Sequence, residues 1–247
     1  MKKLDLFFIL LIWISISLLQ SCDDDDGYSL GDYLITMATV EKDNSEGHPY
    51  FVWDNNERIW ISNTLVPFGG LNTGERVIAS FTLLSDSIDG FSHYARLNDY
   101  RRVLTKGVIE LTEANTDSIG DSKVHIYDMW IGRDYLNVQF RIFAPSTRKH
   151  MVNLVRNTTE NYPDDGYIYL EYRYNDMEDV SGYFVPGIVS FKLGDIDKYI
   201  PGERRAKGIK VRINSAVNDI RTLTFDYEDT TEDIRSFLDN VNSEQVN

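Results

Sequence analysis

The chain has 247 residues, a formal net charge of −14 and a single cysteine. So acidic a protein repels phosphate backbones, which excludes nucleic acid as a partner, and one cysteine excludes a disulfide framework. Its 15 tyrosines and 6 prolines suit a β-rich chain rather than a disordered one.

Lys2 and Lys3 form a positive n-region, and Leu6 to Leu19 an apolar h-region too short for a comfortable membrane span. Ser21 and Cys22 follow. This order resembles the lipobox of a bacterial lipoprotein, in which a peptidase cuts before the cysteine and the thiol carries diacylglycerol. Residues 1–21 are therefore expected to be a lipoprotein signal peptide, with Cys22 as the lipidated residue. Removing Lys2, Lys3 and Asp5 takes the charge from −14 to −15 and leaves about 225 residues, enough for one large or two small domains. No second apolar segment reaches spanning length, so the expected membrane attachment is the lipid alone. Asp23, Asp24, Asp25 and Asp26 repel one another and cannot be buried unpaired, so residues 22–31 read as an acidic tether. An EF-hand fails on spacing, because Gly27 at the loop glycine would make Cys22 the first ligand. Such acid runs resemble the export signal that places Bacteroidota lipoproteins on the outer face of the outer membrane; the alternative is a linker without sorting content.

The rest of the chain alternates with period two. Five strands are expected in the first half, at Tyr33 to Glu41, Tyr50 to Asp54, Arg58 to Ser62, Arg76 to Ser85 and Tyr94 to Leu104. That count matches a small barrel of OB type. The polar stretch Thr112 to Asp121 reads as a loop between modules. About seven further strands follow, the number of an immunoglobulin-like sandwich. Among them are Leu136, Val138, Phe140 and Ile142, then Ile168, Leu170, Tyr172 and Tyr174, then Ile209, Val211 and Ile213, and then Leu223, Phe225 and Tyr227. Gly132-Arg133-Asp134 reads as a hairpin turn. The fold class is thus all-β: a five-stranded OB-like barrel over 32–106 and a β-sandwich over 107–228. A tail follows at 229–247, where Ile234, Phe237, Leu238 and Val241 have the spacing of a short helix.

Several segments carry a family resemblance: Thr82-Leu83-Leu84-Ser85-Asp86, Leu104-Thr105-Lys106, Asp117-Ser118-Ile119-Gly120, Trp130-Ile131-Gly132 with Tyr135-Leu136-Asn137-Val138, and Asp165-Gly166-Tyr167-Ile168-Tyr169-Leu170-Glu171. Together with the acidic lipoprotein start, they make the chain similar to the NigD-like lipoproteins of Bacteroidota. The resemblance implies an N-terminal OB-like domain and a C-terminal β-sandwich. It brings no catalytic residue set, and only the family name points to bacteriocins and immunity.

Candidate chemistry is sparse. His48, His93, His125 and His150 lie far apart without metal-ligand spacing, so no metal is expected. There is no Gly-x-Ser-x-Gly elbow, no thiol outside the lipidated one and no phosphate loop, so no catalytic residue and no cofactor is assigned. Asp43 to Glu46 and Asp176 to Asp179 are either weak Ca²⁺ loops or solvated turns. Trp53, Trp60 and Trp130, with Tyr94, Tyr100, Tyr167 and Tyr169, are either a stacking platform for sugars or core packing, and Trp130 reads as a core plug. Ser87, Ser118 and Thr230 sit in Asp-Ser/Thr-x sequences resembling the Bacteroidota O-glycosylation sequon. The chain therefore reads as a non-catalytic lipoprotein that binds an exported protein, or alternatively captures glycans or serves structurally in nutrient uptake.

Overall fold

The protein is described here by a computed structural model covering residues 31–42, 47–87, 90–144, 148–179, 182–194, 196–199 and 205–227. The signal peptide, Cys22, the Asp23–Asp26 run, the Asp43 to Glu46 loop, Thr230 and the 229–247 tail lie outside these residues.

Strands β1 (Leu34–Glu41), β2 (Tyr50–Trp53), β3 (Arg58–Thr64), β4 (Arg76–Ser85) and β5 (His93–Arg102) close a barrel in the order β1-β2-β3-β5-β4. The alternating residues Val77, Ala79 and Phe81 point inward and meet Ala38, Val40, Phe51, Trp53, Ile59, Ala95 and Leu97. All pairings are antiparallel except β3 with β5, where Trp60 stands beside Tyr94. Register shifts at Ile61/Asn63 in β3, and at Ser80/Phe81 and Leu83/Ser85 in β4, mark irregularities that let so short a sheet curl to closure.

The second unit is a two-layer sandwich. One layer has four strands, in the order β6 (Leu104–Gly107), β12 (Tyr183–Lys192), β9 (Tyr135–Ala144), β8 (His125–Gly132). The other has five, in the order β14 (Asp219–Asp226), β13 (Gly208–Ser215), β11 (Tyr167–Asn175), β10 (Met151–Asn157), β7 (Ile109–Leu111). Leu136, Val138 and Phe140 face Ile168, Leu170 and Tyr172 across a core completed by Val189, Phe191, Ile209, Val211 and Ile213. The pairs β6/β12, β7/β10 and β11/β13 are parallel.

Two expectations change. Leu104–Gly107 belongs to the sandwich, because it pairs with Val189–Lys192 of β12; by hydrogen bonding the division falls at Val103 rather than after 106. The polar stretch Thr112 to Asp121 is not a loop between modules. It lies inside the sandwich and carries a one-turn helix α1 (Thr116–Ile119), whose Ile119 packs on Leu111 and Val155. The Gly132-Arg133-Asp134 hairpin joins β8 and β9, with Arg133 at φ 53°.

Candidate functional site

The barrel and the sandwich meet through a buried polar clamp. Arg76, the first residue of β4, is fully enclosed and forks onto Asp54, with Nη1 2.5 Å from Oδ1 and Nη2 3.0 Å from Oδ2. Nη1 also donates to Thr39 Oγ1 at 3.0 Å. Nη2 reaches across to Asn137 Oδ1 of β9 at 2.9 Å, and that oxygen also accepts from Ser190 Oγ of β12 at 2.6 Å. Asn137 Nδ2 returns a hydrogen bond to Asp54 at 3.0 Å, and the Tyr135 ring lies 4.5 Å from the guanidinium carbon. Alternation on β9 explains the placement: Leu136 and Val138 enter the sandwich core, so Tyr135 and Asn137 face the barrel. Gly132 approaches so closely that a Cβ there would overlap the Asp54 carboxylate. Arg133 and Glu41 bridge the rim at 3.4 Å. A buried pair loses hydration on both charges, and bidentate geometry with every Asp54 oxygen bonded is what makes such burial tolerable.

An aromatic face stands on the barrel exterior. On β3, Ile59 and Ile61 turn inward, which sends Arg58 and Trp60 outward. The Arg58 guanidinium carbon sits 4.7 Å from the centroids of both Tyr50 and Phe91. Phe91 lies 5.2 Å from Trp60, 5.4 Å from Tyr50 and 6.4 Å from Tyr94, and His48 meets Trp60 edge-on at 6.4 Å. All six side chains come from β2, β3, β5 and the loops leading into β2 and β5. Beside the rings runs a hydrogen-bonding row on β4 and β5. Arg96 Nε donates to Asn98 Oδ1 at 2.9 Å, and Arg96 Nη2 to Thr82 Oγ1 at 3.3 Å. Asn98 Nδ2 donates to Thr82 Oγ1 at 3.0 Å and to Ser80 Oγ at 3.4 Å. Rings held by an arginine wedge, next to an oriented polar row, form the kind of surface that can stack on a ligand and fix its rotation.

The expected aromatic platform is therefore only partly assembled. Trp60 and Tyr94 share the barrel face, joined by His48, expected only as an isolated histidine, and by Tyr50, Arg58 and Phe91, which carried no expectation of a site. Trp53 is instead barrel core. Trp130 is not a core plug; it is half-buried at the domain junction, with Nε1 3.4 Å from Asp54 Oδ2. Tyr100 reaches the Pro67 carbonyl at 3.2 Å. Tyr167 and Tyr169 stand on the five-stranded sheet, where Tyr169 donates to Asp165 at 2.9 Å and Tyr167 to Asp226 at 2.6 Å. Lys210 lies 2.5 Å from Asp165 and holds its carboxyl down at about 2, with help from the Tyr167 amide and the Tyr169 hydroxyl.

The four histidines go to four places: His48 to Trp60, His93 to Trp53, His125 to Phe184 and His150 to Tyr174. Among the described residues no group of three or more His, Cys, Asp or Glu is arranged to hold a metal ion. In the Asp176 to Asp179 loop, Asp176 bonds Ser122 Oγ at 3.0 Å and Asp179 accepts the Arg148 amide at 2.9 Å. Ser87 is exposed after β4, and Ser118 is exposed on α1 with its hydroxyl donating to the Asn115 carbonyl at 2.9 Å. No helix among the described residues is long and apolar enough to cross a membrane.

A small closed barrel joined to a two-layer sandwich, with an aromatic barrel face and a sealed polar junction, defines a two-domain all-β protein. Residues 37–103 match the NigD-like N-terminal OB domain and residues 107–227 the NigD-like C-terminal beta sandwich domain, so the chain belongs to the NigD-like family. Among solved structures it is similar to a protein of unknown function from Bacteroides vulgatus ATCC 8482, at 42% identity over 79% of this chain and 91% of that one, with a TM-score of 0.72. It also resembles a protein named as toxin-related from Parabacteroides distasonis ATCC 8503, at 25% identity over 84% and 98% of the two chains, TM-score 0.65. A NigD-like immunity protein from Bacteroides caccae ATCC 43185 shares the fold at 18% identity over 80% and 94%, TM-score 0.58. No curated protein matches the chain.

Proposed function

We propose that the mature protein is a non-catalytic binding module, anchored through Cys22 to the outer membrane, turned to the cell surface by Asp23–Asp26, and engaging its ligand through the aromatic face of the barrel. The observation that carries this reading is the Arg58 wedge between Tyr50 and Phe91, which presets the rings around Trp60. Preset side chains lose little freedom on binding, so contact energy goes into affinity. Strands 2 and 3 of an OB barrel, with the loops into strands 2 and 5, are also where such barrels take ligands. Family membership, and neighbours named for immunity and for toxin relation, support an accessory rather than a catalytic role. Ser87, Ser118 and Thr230 remain candidate O-glycosylation sites on this reading, with Ser87 in the loop that precedes Phe91.

A photo-crosslinking amino acid placed at exposed Ser62, two residues beyond Trp60, tests the face in intact cells. A discrete adduct is expected there and not from Thr224 on the far sheet. Absence of an adduct at Ser62, or equal labelling from Thr224, overturns the assignment of the face.

A further inference from the structure

We infer that the protein pairs with a second copy of itself through the outer face of the four-stranded sheet, Arg141 of each copy meeting Asp128 of the other. The barrel covers only part of this face. Asn137 of β9 and Ser190 of β12 point outward into the clamp, whereas the outward residues further along, Arg141 and Phe143 on β9 and Phe184 on β12, take no part in it. Phe184 stands opposite Phe143 with the rings stacked at 4.3 Å, yet 45% of it is exposed. The edge strand β8 adds Tyr127 through a bulge: Ile126 and Met129 both turn into the core, which leaves Tyr127 and Asp128 together on the outside. Strict alternation would have turned Asp128 inward. The Arg141 guanidinium carbon lies 4.6 Å from the Tyr127 centroid and 5.7 Å from that of Phe184, and Arg141 Nε donates to the Tyr127 hydroxyl.

Exposed Tyr127 and Phe184 on either side of an arginine are the residue types that protein interfaces concentrate at their centre. Charge names the occupant. Arg141 is bonded to no carboxylate among the described residues, and exposed Asp128, which accepts the Met129 amide at 2.8 Å, is bonded to no cation there. The two stand on neighbouring strands, since Asp128 pairs with Gln139 and His125 with Arg141. A face with one uncommitted charge of each sign beside its rings is complementary to itself. A two-fold axis between copies sets Arg141 on Asp128 and Asp128 on Arg141 in one operation, and it closes the assembly at two. Each copy carries a net charge of −14, so the whole molecules repel and the rings with the two ion pairs must hold them. The pairing is therefore weak and reversible.

Sedimentation velocity of the unlipidated mature chain, carrying Cys22→Ser so that no disulfide links two copies, tests this from micromolar to near-millimolar concentration. Reversible conversion of monomer to dimer is expected, and equally so for a control with Thr224→Arg on the outer face of the other sheet. Arg141→Asp and Asp128→Arg each set like charges together and should weaken pairing at least about tenfold, with the fold intact by circular dichroism. Mixing these two variants rebuilds both ion pairs in a heterodimer, and the double variant Arg141→Asp/Asp128→Arg rebuilds them in a homodimer, so the dimer should return in both. A monomer at every concentration, or a dimer that either charge reversal leaves unchanged, overturns the inference. So does a dimer lost in the single variants and not recovered on mixing, or one lost equally with Thr224→Arg.

Discussion

Replacing Arg76 with methionine isolates what the buried clamp contributes. The guanidinium makes four hydrogen bonds, two to Asp54, one to Thr39 and one to Asn137, and its side chain is fully enclosed. Removing one partner of a buried ion pair costs about 3–5 kcal/mol, because the remaining charge is stranded. Asp54 keeps two donors, Asn137 Nδ2 at 3.0 Å and Trp130 Nε1 at 3.4 Å, which places the expected loss toward the lower end, about 3–4 kcal/mol. For a chain of this size that is roughly 6–16 °C in Tm. Asp54→Leu alone strands the arginine instead and should cost a similar amount. The double variant Arg76→Met/Asp54→Leu leaves no orphaned charge, so its loss should be smaller than the sum of the two by at least about 2 kcal/mol. Urea unfolding of the mature protein measures all three. An Arg76→Met loss below about 1 kcal/mol, or strict additivity in the double variant, would refute a coupled clamp.

Gly132→Ala places a methyl against the Asp54 carboxylate and should destabilise by about 1–3 kcal/mol, read as a lower urea midpoint with unchanged slope. The low Asp165 carboxyl is held mainly by Lys210, so Lys210→Met should raise its midpoint in an NMR titration from about 2 toward the usual ~3.9; an unmoved midpoint rejects the pairing. Because the folded value lies below the unfolded one, this contribution is complete above pH ~4 and fades as the pH falls toward 2. Replacing Asp23–Asp26 by alanine should leave lipidation at Cys22 intact, yet render the protein resistant to protease shaving of whole cells. Shaving of the variant to the same extent as wild type would remove the sorting role.

The strands were legible because their alternation is local: Val77, Ala79 and Phe81, or Ile209, Val211 and Ile213, announce both the element and its buried face. Strands β6 and β7 were not, because they are short, they follow β5 with little turn chemistry between, and they are held by parallel pairing to β12 and β10 far along the chain. The clamp left no trace in the pattern. Asp54 reads as the last residue of a short strand, Arg76 as an ordinary polar strand residue, and the Asn137 that joins them lies 61 residues beyond Arg76. The aromatic face was half visible. Trp60 alternates with inward Ile59 and Ile61, which predicts an exposed indole, but which tyrosines join it depends on the parallel β3/β5 closure.

The single residue between β5 and β6, Val103, has consequences for how the molecule comes into being. A chain that emerges N-terminus first presents Thr39, Asp54 and Arg76 well before the other half of their junction. The barrel closes once β5, which ends at Arg102, is in place, and Asn137 follows only 35 residues later. For that interval a closed barrel carries a charged, carboxylate-lined end open to water, which is soluble as it stands. The apolar side of the junction, the Tyr135 ring, arrives only with the strand that brings Asn137. The order of residues therefore keeps the sticky surface off the earlier-born half, and the later half docks as it is made.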